Sequence, residues 1–215
     1  MIRIVQNETK FTLNIESYLI NALSKTNLNL FLLSDVIKKQ IKQAFNHCFG
    51  KFDLNCTIFL RPLYTYKLKQ LYGKTVFAVV DDVRNNNVAE ADFRGLLVKI
   101  NVSYLAALIS GPNERSIPHE FEHLLGFDHP HARAAYLSVN TSAWLHEQQL
   151  SEEERQCNLM RQPWYIQKSG NKINESVLLT ESQVKLLLEN YGNKKLNYNY
   201  GIRRSIFYYK WTVKL

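Results

Sequence analysis

His119-Glu120-Phe121-Glu122-His123-Leu124-Leu125-Gly126-Phe127-Asp128-His129 is the stretch on which the reading of this chain turns. It satisfies the pattern HExxHxxGxxH. Residues four apart on a helix stand above one another, so His119 and His123 present imidazoles from one face with Glu120 beside them. Gly126 can turn the chain through a conformation that other residues resist, and the turn brings His129 back towards the same point. Three neutral imidazoles give a zinc site that leaves room for water. One catalytic Zn2+ is therefore the expected cofactor, with His119, His123 and His129 as its ligands. Zinc lowers the pKa of such a water towards neutrality and polarises a carbonyl. Glu120 is placed to take the water's proton and pass one to a leaving amine, as general base and acid rather than as a ligand. The chemistry this pattern supports is peptide-bond hydrolysis without an acyl-enzyme.

The length of the pattern matters. With six His, thirteen Glu and eight Gly in 215 residues, HExxH arises by accident in about one such chain in a hundred, and the full pattern in about one in a hundred thousand. Accident is thus a poor account of the extended pattern. The structural alternative places the histidines on an exposed polar helix face. Phe121, Leu124, Leu125 and Phe127 punctuate the motif and argue instead for a helix at least half buried. A zinc site kept only for structure would need a fourth protein ligand. Among the neighbours, Asp128 reads as a hydrogen-bond partner of a ligand histidine or as a loop cap. His131 stands two residues beyond the third ligand's place and reads as an exit-loop or substrate-facing residue, or more simply as one that faces solvent. Glu122 reads as solvated, and His146 has no assigned role.

Outward from the motif, the spacing predicts a helix over 117–126, capped by Ser116, with Pro118 in the first turn and Gly126 at the end. An earlier helix is expected over 36–49: Asp35 caps it, Ile37, Ile41, Ala44, Phe45 and Cys48 form its apolar stripe, and Gly50 stops it. Strand-like runs lie at Cys56–Leu60, Thr75–Val80 and Leu96–Val102, with the polar segment DDVRNNN as an exposed turn. Met1–Val5 and Asn27–Leu33 are both candidates for the first strand. A last helix is expected near 181–190, where Thr180 and Gln183 form a capping box and Gly192 follows. The order gives an α+β domain with its strands mainly in the N-terminal half.

The stretch from His119 to His129 resembles the metzincin clan of zinc endopeptidases. The resemblance implies zinc binding by His119, His123 and His129, water activation by Glu120, and a chain turn at Gly126. CNLM at 157–160 looks like the methionine-containing turn of that clan, with Met160 as its methionine, and LTESQ resembles the opening of the clan's C-terminal helix. GFDHPHAR is similar to the astacin-type extension, but Pro130 stands where glutamate is typical. Gln162 occupies the place of the astacin tyrosine two residues after the methionine, and its role does not transfer to Tyr165. The fold implied is a metzincin-like zincin: a mixed, mainly parallel sheet with an N-terminal helix and an active-site helix, plus a small, mostly irregular C-terminal subdomain containing a final helix. One catalytic domain would span 1–215, divided near residue 126. By the same analogy, residues 96–102 would form the upper rim of a cleft, and a protein or peptide substrate would bind there in extended form.

The rest of the chain adds bounds. Its 215 residues and 46 % apolar composition allow one sizeable core. No run of 18 apolar residues exists, so a transmembrane span is not expected. MIRIVQNETKF lacks the apolar core and small-residue cleavage site of a secretory signal; a mature form, or export by a route needing no such signal, both fit. Cys48, Cys56 and Cys157 are an odd set, so a full disulfide framework within the chain is excluded. Cys48 and Cys56 are also the available thiols for blocking zinc, though neither sits in a supporting motif. Of the net charge of +8, ten Lys/Arg against three Glu put +7 from Arg161 onward. Such a tail could steer an acidic partner or touch nucleic acid or membrane, but a solvated face is the plainer account, and nucleic acid is the weakest of the functional readings. Trp164, Tyr165 and Ile166 are candidates for a specificity wall or for core. The alternative to an enzyme is a catalytically inactive protein-binding module of the same fold, using its basic C-terminal region. The intact Glu120 argues against it, since a structural zinc gains no bond from that glutamate.

Overall fold

The computed structural model describes residues 2–7, 10–23, 27–46, 53–71, 74–91, 96–111, 114–127, 129, 150–160, 179–194 and 196. Six strands form one sheet: β1 (Ile2–Asn7), β2 (Lys10–Asn21), β3 (Asp53–Leu63), β4 (Thr75–Val80), β5 (Ala89–Ala91) and β6 (Leu97–Asn101). The helices are α1 (Leu30–Asn46), α2 (Leu68–Leu71), α3 (Leu105–Ser110), α4 (Ser116–Leu124), α5 (Glu152–Cys157) and α6 (Glu181–Gly192). The class is α+β, as the sequence implied.

β2 is the backbone of the sheet. On one side it pairs in parallel with β3 from Lys10↔Asp53 to Ile20↔Leu63. Its other side is shared between antiparallel β1 and parallel β4. β4 then pairs in parallel with β6, and β6 antiparallel with β5, which is an edge strand among the described residues. The sheet is therefore mixed and mainly parallel. β6 lies inside it, between β4 and β5, so residues 96–102 are not the edge strand that was expected there; among the described residues β5 pairs on one side only.

Burial explains the sequence patterns. β3 alternates buried Leu54, Cys56, Ile58 and Leu60 with exposed residues, as a strand covered on one face must. β4 is buried at all six positions because both faces are covered. On one side, α1 lays Leu30, Leu33, Ile37, Ile41, Ala44 and Phe45 on the sheet. The motif helix α4, Leu159, Met160 and the apolar side of α6 join that same core. On the other side, Leu71 of α2 closes a smaller cluster with Ile20, Val76, Ala78 and Leu97.

Several boundaries differ from expectation. α1 begins at Leu30, six residues earlier than expected, because the Asn29 side chain accepts the Leu32 N–H at 3.0 Å. This removes Asn27–Leu33 as a strand, and Asp35 pairs with Lys38 at 2.6 Å instead of capping. β2 and β5 were not foreseen. Ser116 lies inside α4, and Arg115 holds the cap position with no side-chain cap bond. Gly192 closes α6 from within rather than following it. Among the described residues, no helix is long and apolar enough to cross a membrane.

Candidate metal centre

α4 is held over the sheet by Phe121, whose ring meets Phe45 of α1 edge-on at 5.7 Å and stacks on Phe77 of β4 at 6.2 Å. With that face buried, His119 and His123 project from the neighbouring face. The helix ends in a Schellman turn: Phe127 N–H donates to the Glu122 carbonyl and Gly126 N–H to that of His123. Gly126 adopts φ +86°, the left-handed region that glycine enters without a Cβ clash. The turn brings His129 back to the helix, and the three rings converge with centroids 4.8–5.2 Å apart.

The hydrogen bonds fix which nitrogens face inward. His119 Nδ1 donates to the Leu159 carbonyl at 2.8 Å, and His123 Nδ1 to the Phe127 carbonyl at 2.9 Å. A neutral imidazole with its proton on Nδ1 carries its lone pair on Nε2. The Nε2 atoms of His119 and His129 lie 3.1 Å apart, and one nitrogen from each of the three rings falls within 4.8 Å of the others. Tetrahedral zinc with N bonds of 2.0–2.1 Å would separate two ligand nitrogens by about 3.3 Å. An all-nitrogen donor set with main-chain carbonyls behind two of the rings suits that ion.

Glu120 sits beside His119 with its carboxylate accepting the Ala91 N–H of β5 at 2.8 Å. Burial pushes its carboxyl up to about 8, against the lowering effect of that N–H and with some help from the Glu90 charge. A dication held by the three imidazoles would draw it back down. Glu120 is thus tied to β5 of the sheet, a link that no sequence pattern carried.

Glu122 is not solvated. It is fully buried, its Oε2 accepting from Gln183 Nε2 at 2.9 Å. Burial raises its pKa well above the carboxylate range, opposed by the Arg115 charge and the Gln183 bond. The signal was present: Pro118, Phe121, Glu122 and Leu125 fall at i, i+3, i+4 and i+7, and all are buried. Met160 is buried in the main core, its N–H donating to Asn158 Oδ1 at 2.9 Å. Arg115 Nη2 also donates to the Leu159 carbonyl, at 2.6 Å. Neither Arg115 nor Asn158 was singled out from the sequence, and Gln183 was read only as a cap.

Cys56 is buried in β3, and burial pushes its thiol up to about 12, so it supplies no thiolate at neutral pH. Asp128, His131, His146, Gln162, Trp164, Tyr165, Ile166 and Cys48, with the side chain of Cys157, lie outside the described residues. So does most of the basic C-terminal region.

No protein-family model and no curated protein matches the chain. Among solved structures, it is similar to the crystal structure of archaemetzincin from Methanopyrus kandleri, with 10 % identity and a TM-score of 0.44, over 87 % of this chain and 99 % of that one. It is also similar to a structure of a chaperone–substrate complex, with 10 % identity and a TM-score of 0.34, over 60 % of this chain and 26 % of the other. Function is therefore read from the chain's own residues.

Proposed function

We propose that this chain is a zinc-dependent endopeptidase of metzincin type, a single catalytic domain acting on protein or peptide substrates. The observation that carries the reading is the convergence of His119, His123 and His129 beside Glu120, with the Nδ1 protons of His119 and His123 committed to carbonyls. His119, His123 and His129 would hold the ion. Zinc there would supply a Lewis acid that acidifies water and polarises the scissile carbonyl.

Glu120 takes a proton from the attacking water as its oxygen bonds to the carbonyl carbon. It returns a proton to the nitrogen as the C–N bond breaks, giving a carboxylate and an amine. The Ala91 N–H holds the carboxylate in place for both transfers. β5, unpaired on its outer side among the described residues, would offer an extended substrate a strand to pair with, which would lay the scissile bond alongside α4. Gly126 supports the third ligand, and the turn ending at Met160 packs in the core joined to α4.

Glu120→Gln tests the assignment. The variant is expected to retain one zinc per chain by elemental analysis while losing cleavage of a peptide library that the unaltered protein cuts. Equal cleavage by both would remove Glu120 from the mechanism.

A further inference from the structure

We infer that Gln183 of α6 is a positioning residue for the metal centre: through Asn158 it fixes the turn whose Leu159 carbonyl orients His119. The inference rests on the zinc reading above.

The Gln183 amide is bonded on both its oxygen and its nitrogen. Its Oε1 accepts the Thr180 N–H at 2.8 Å, and its Nε2 donates to Glu122 Oε2 at 2.9 Å and to Asn158 Oδ1 at 3.2 Å. Gln183, Glu122 and Asn158 are each no more than 1 % exposed. A buried amide whose oxygen accepts from an N–H and whose two N–H groups both donate has one orientation, and here it joins three segments: α4, the turn before Met160, and the start of α6.

Asn158 passes the constraint on. The same Oδ1 accepts the Met160 N–H at 2.9 Å, so Leu159 sits between two tethered residues. Its carbonyl then receives His119 Nδ1 at 2.8 Å and Arg115 Nη2 at 2.6 Å. That carbonyl selects the His119 tautomer and sets its ring plane. Apolar side chains would pack this region as tightly at a lower desolvation cost. Buried polar groups instead specify one register between α6, the turn and the ligand helix.

Zinc affinity by chelator competition, and the visible spectrum of the Co2+-substituted protein, separate positioning from stability. Asn158→Ala breaks the link yet leaves the Thr180–Gln183 capping box; Gln183→Leu breaks both. Each is expected to weaken zinc binding by about 10–100-fold and to change the Co2+ bands. Thr180→Ala removes only a cap bond, so its melting temperature should fall by about 2–4 °C with zinc affinity and Co2+ spectrum unchanged. Unaltered affinity and spectrum in folded Asn158→Ala would overturn the positioning role and leave the zinc reading standing. Failure of the unaltered protein to take up zinc would overturn both.

Discussion

At Gly126 the chain leaves the motif helix with φ +86°, and both carbonyls of the Schellman turn are satisfied there. An L side chain in this conformation brings its Cβ against the following carbonyl, at a cost of about 1–2 kcal/mol. Gly126→Ala is therefore expected to lose about that much stability in urea unfolding, and to bind zinc more weakly because His129 follows the turn by three residues. Unchanged unfolding and zinc affinity would show that the turn does not require glycine. This part of the site was legible in the sequence, because the metal pattern is local: a helix face, a turn and a return. Glu122 was harder to see. A carboxylate in a motif invites a solvated reading, and its burial is eased by the Arg115 charge and by Gln183, sixty-one residues away.

Elements were legible where one pattern filled them. β4 is a continuous apolar run between two covered faces, and the Thr180–Gln183 box marks the start of α6 at the predicted residue. β5 has three residues, AEA, too few to show a period, and it exists only by pairing with β6. α1 started early because the Asn29 cap competes with Asp35, and both are good cap residues. The placement of α4 depends on one side chain, Phe121, fully buried between Phe45 and Phe77. Phe121→Ala leaves a ring-sized cavity under the ligand helix and should cost about 3–5 kcal/mol. Denaturant unfolding of the metal-free chain measures this, and a loss below about 1 kcal/mol would mean that the ring is not the anchor.

Over the whole molecule, the centre is where parts distant in sequence meet. His119 and His123 come from α4, His129 from the returning chain, the Leu159 carbonyl from the turn, and Glu120's partner Ala91 from β5. α6 joins them through Gln183 and through Asn190, which donates to the Leu125 carbonyl at 3.4 Å. An ion bound by the three histidines binds the folded chain and not the unfolded one, so it stabilises by mass action. At free zinc a hundredfold above its dissociation constant the gain is about 2.7 kcal/mol. For a chain of this length that corresponds to a melting temperature about 5–10 °C above the value in chelator. Glu120→Gln should show the full shift, because the glutamate is not a ligand. His129→Ala should show much less, because two imidazoles remain. Calorimetric scans of the three proteins, with zinc and with chelator, give the comparison directly. Equal shifts in all three would place the ion elsewhere on the chain. The absence of any zinc-dependent shift in the unaltered protein would leave the histidine cluster without a metal to explain it.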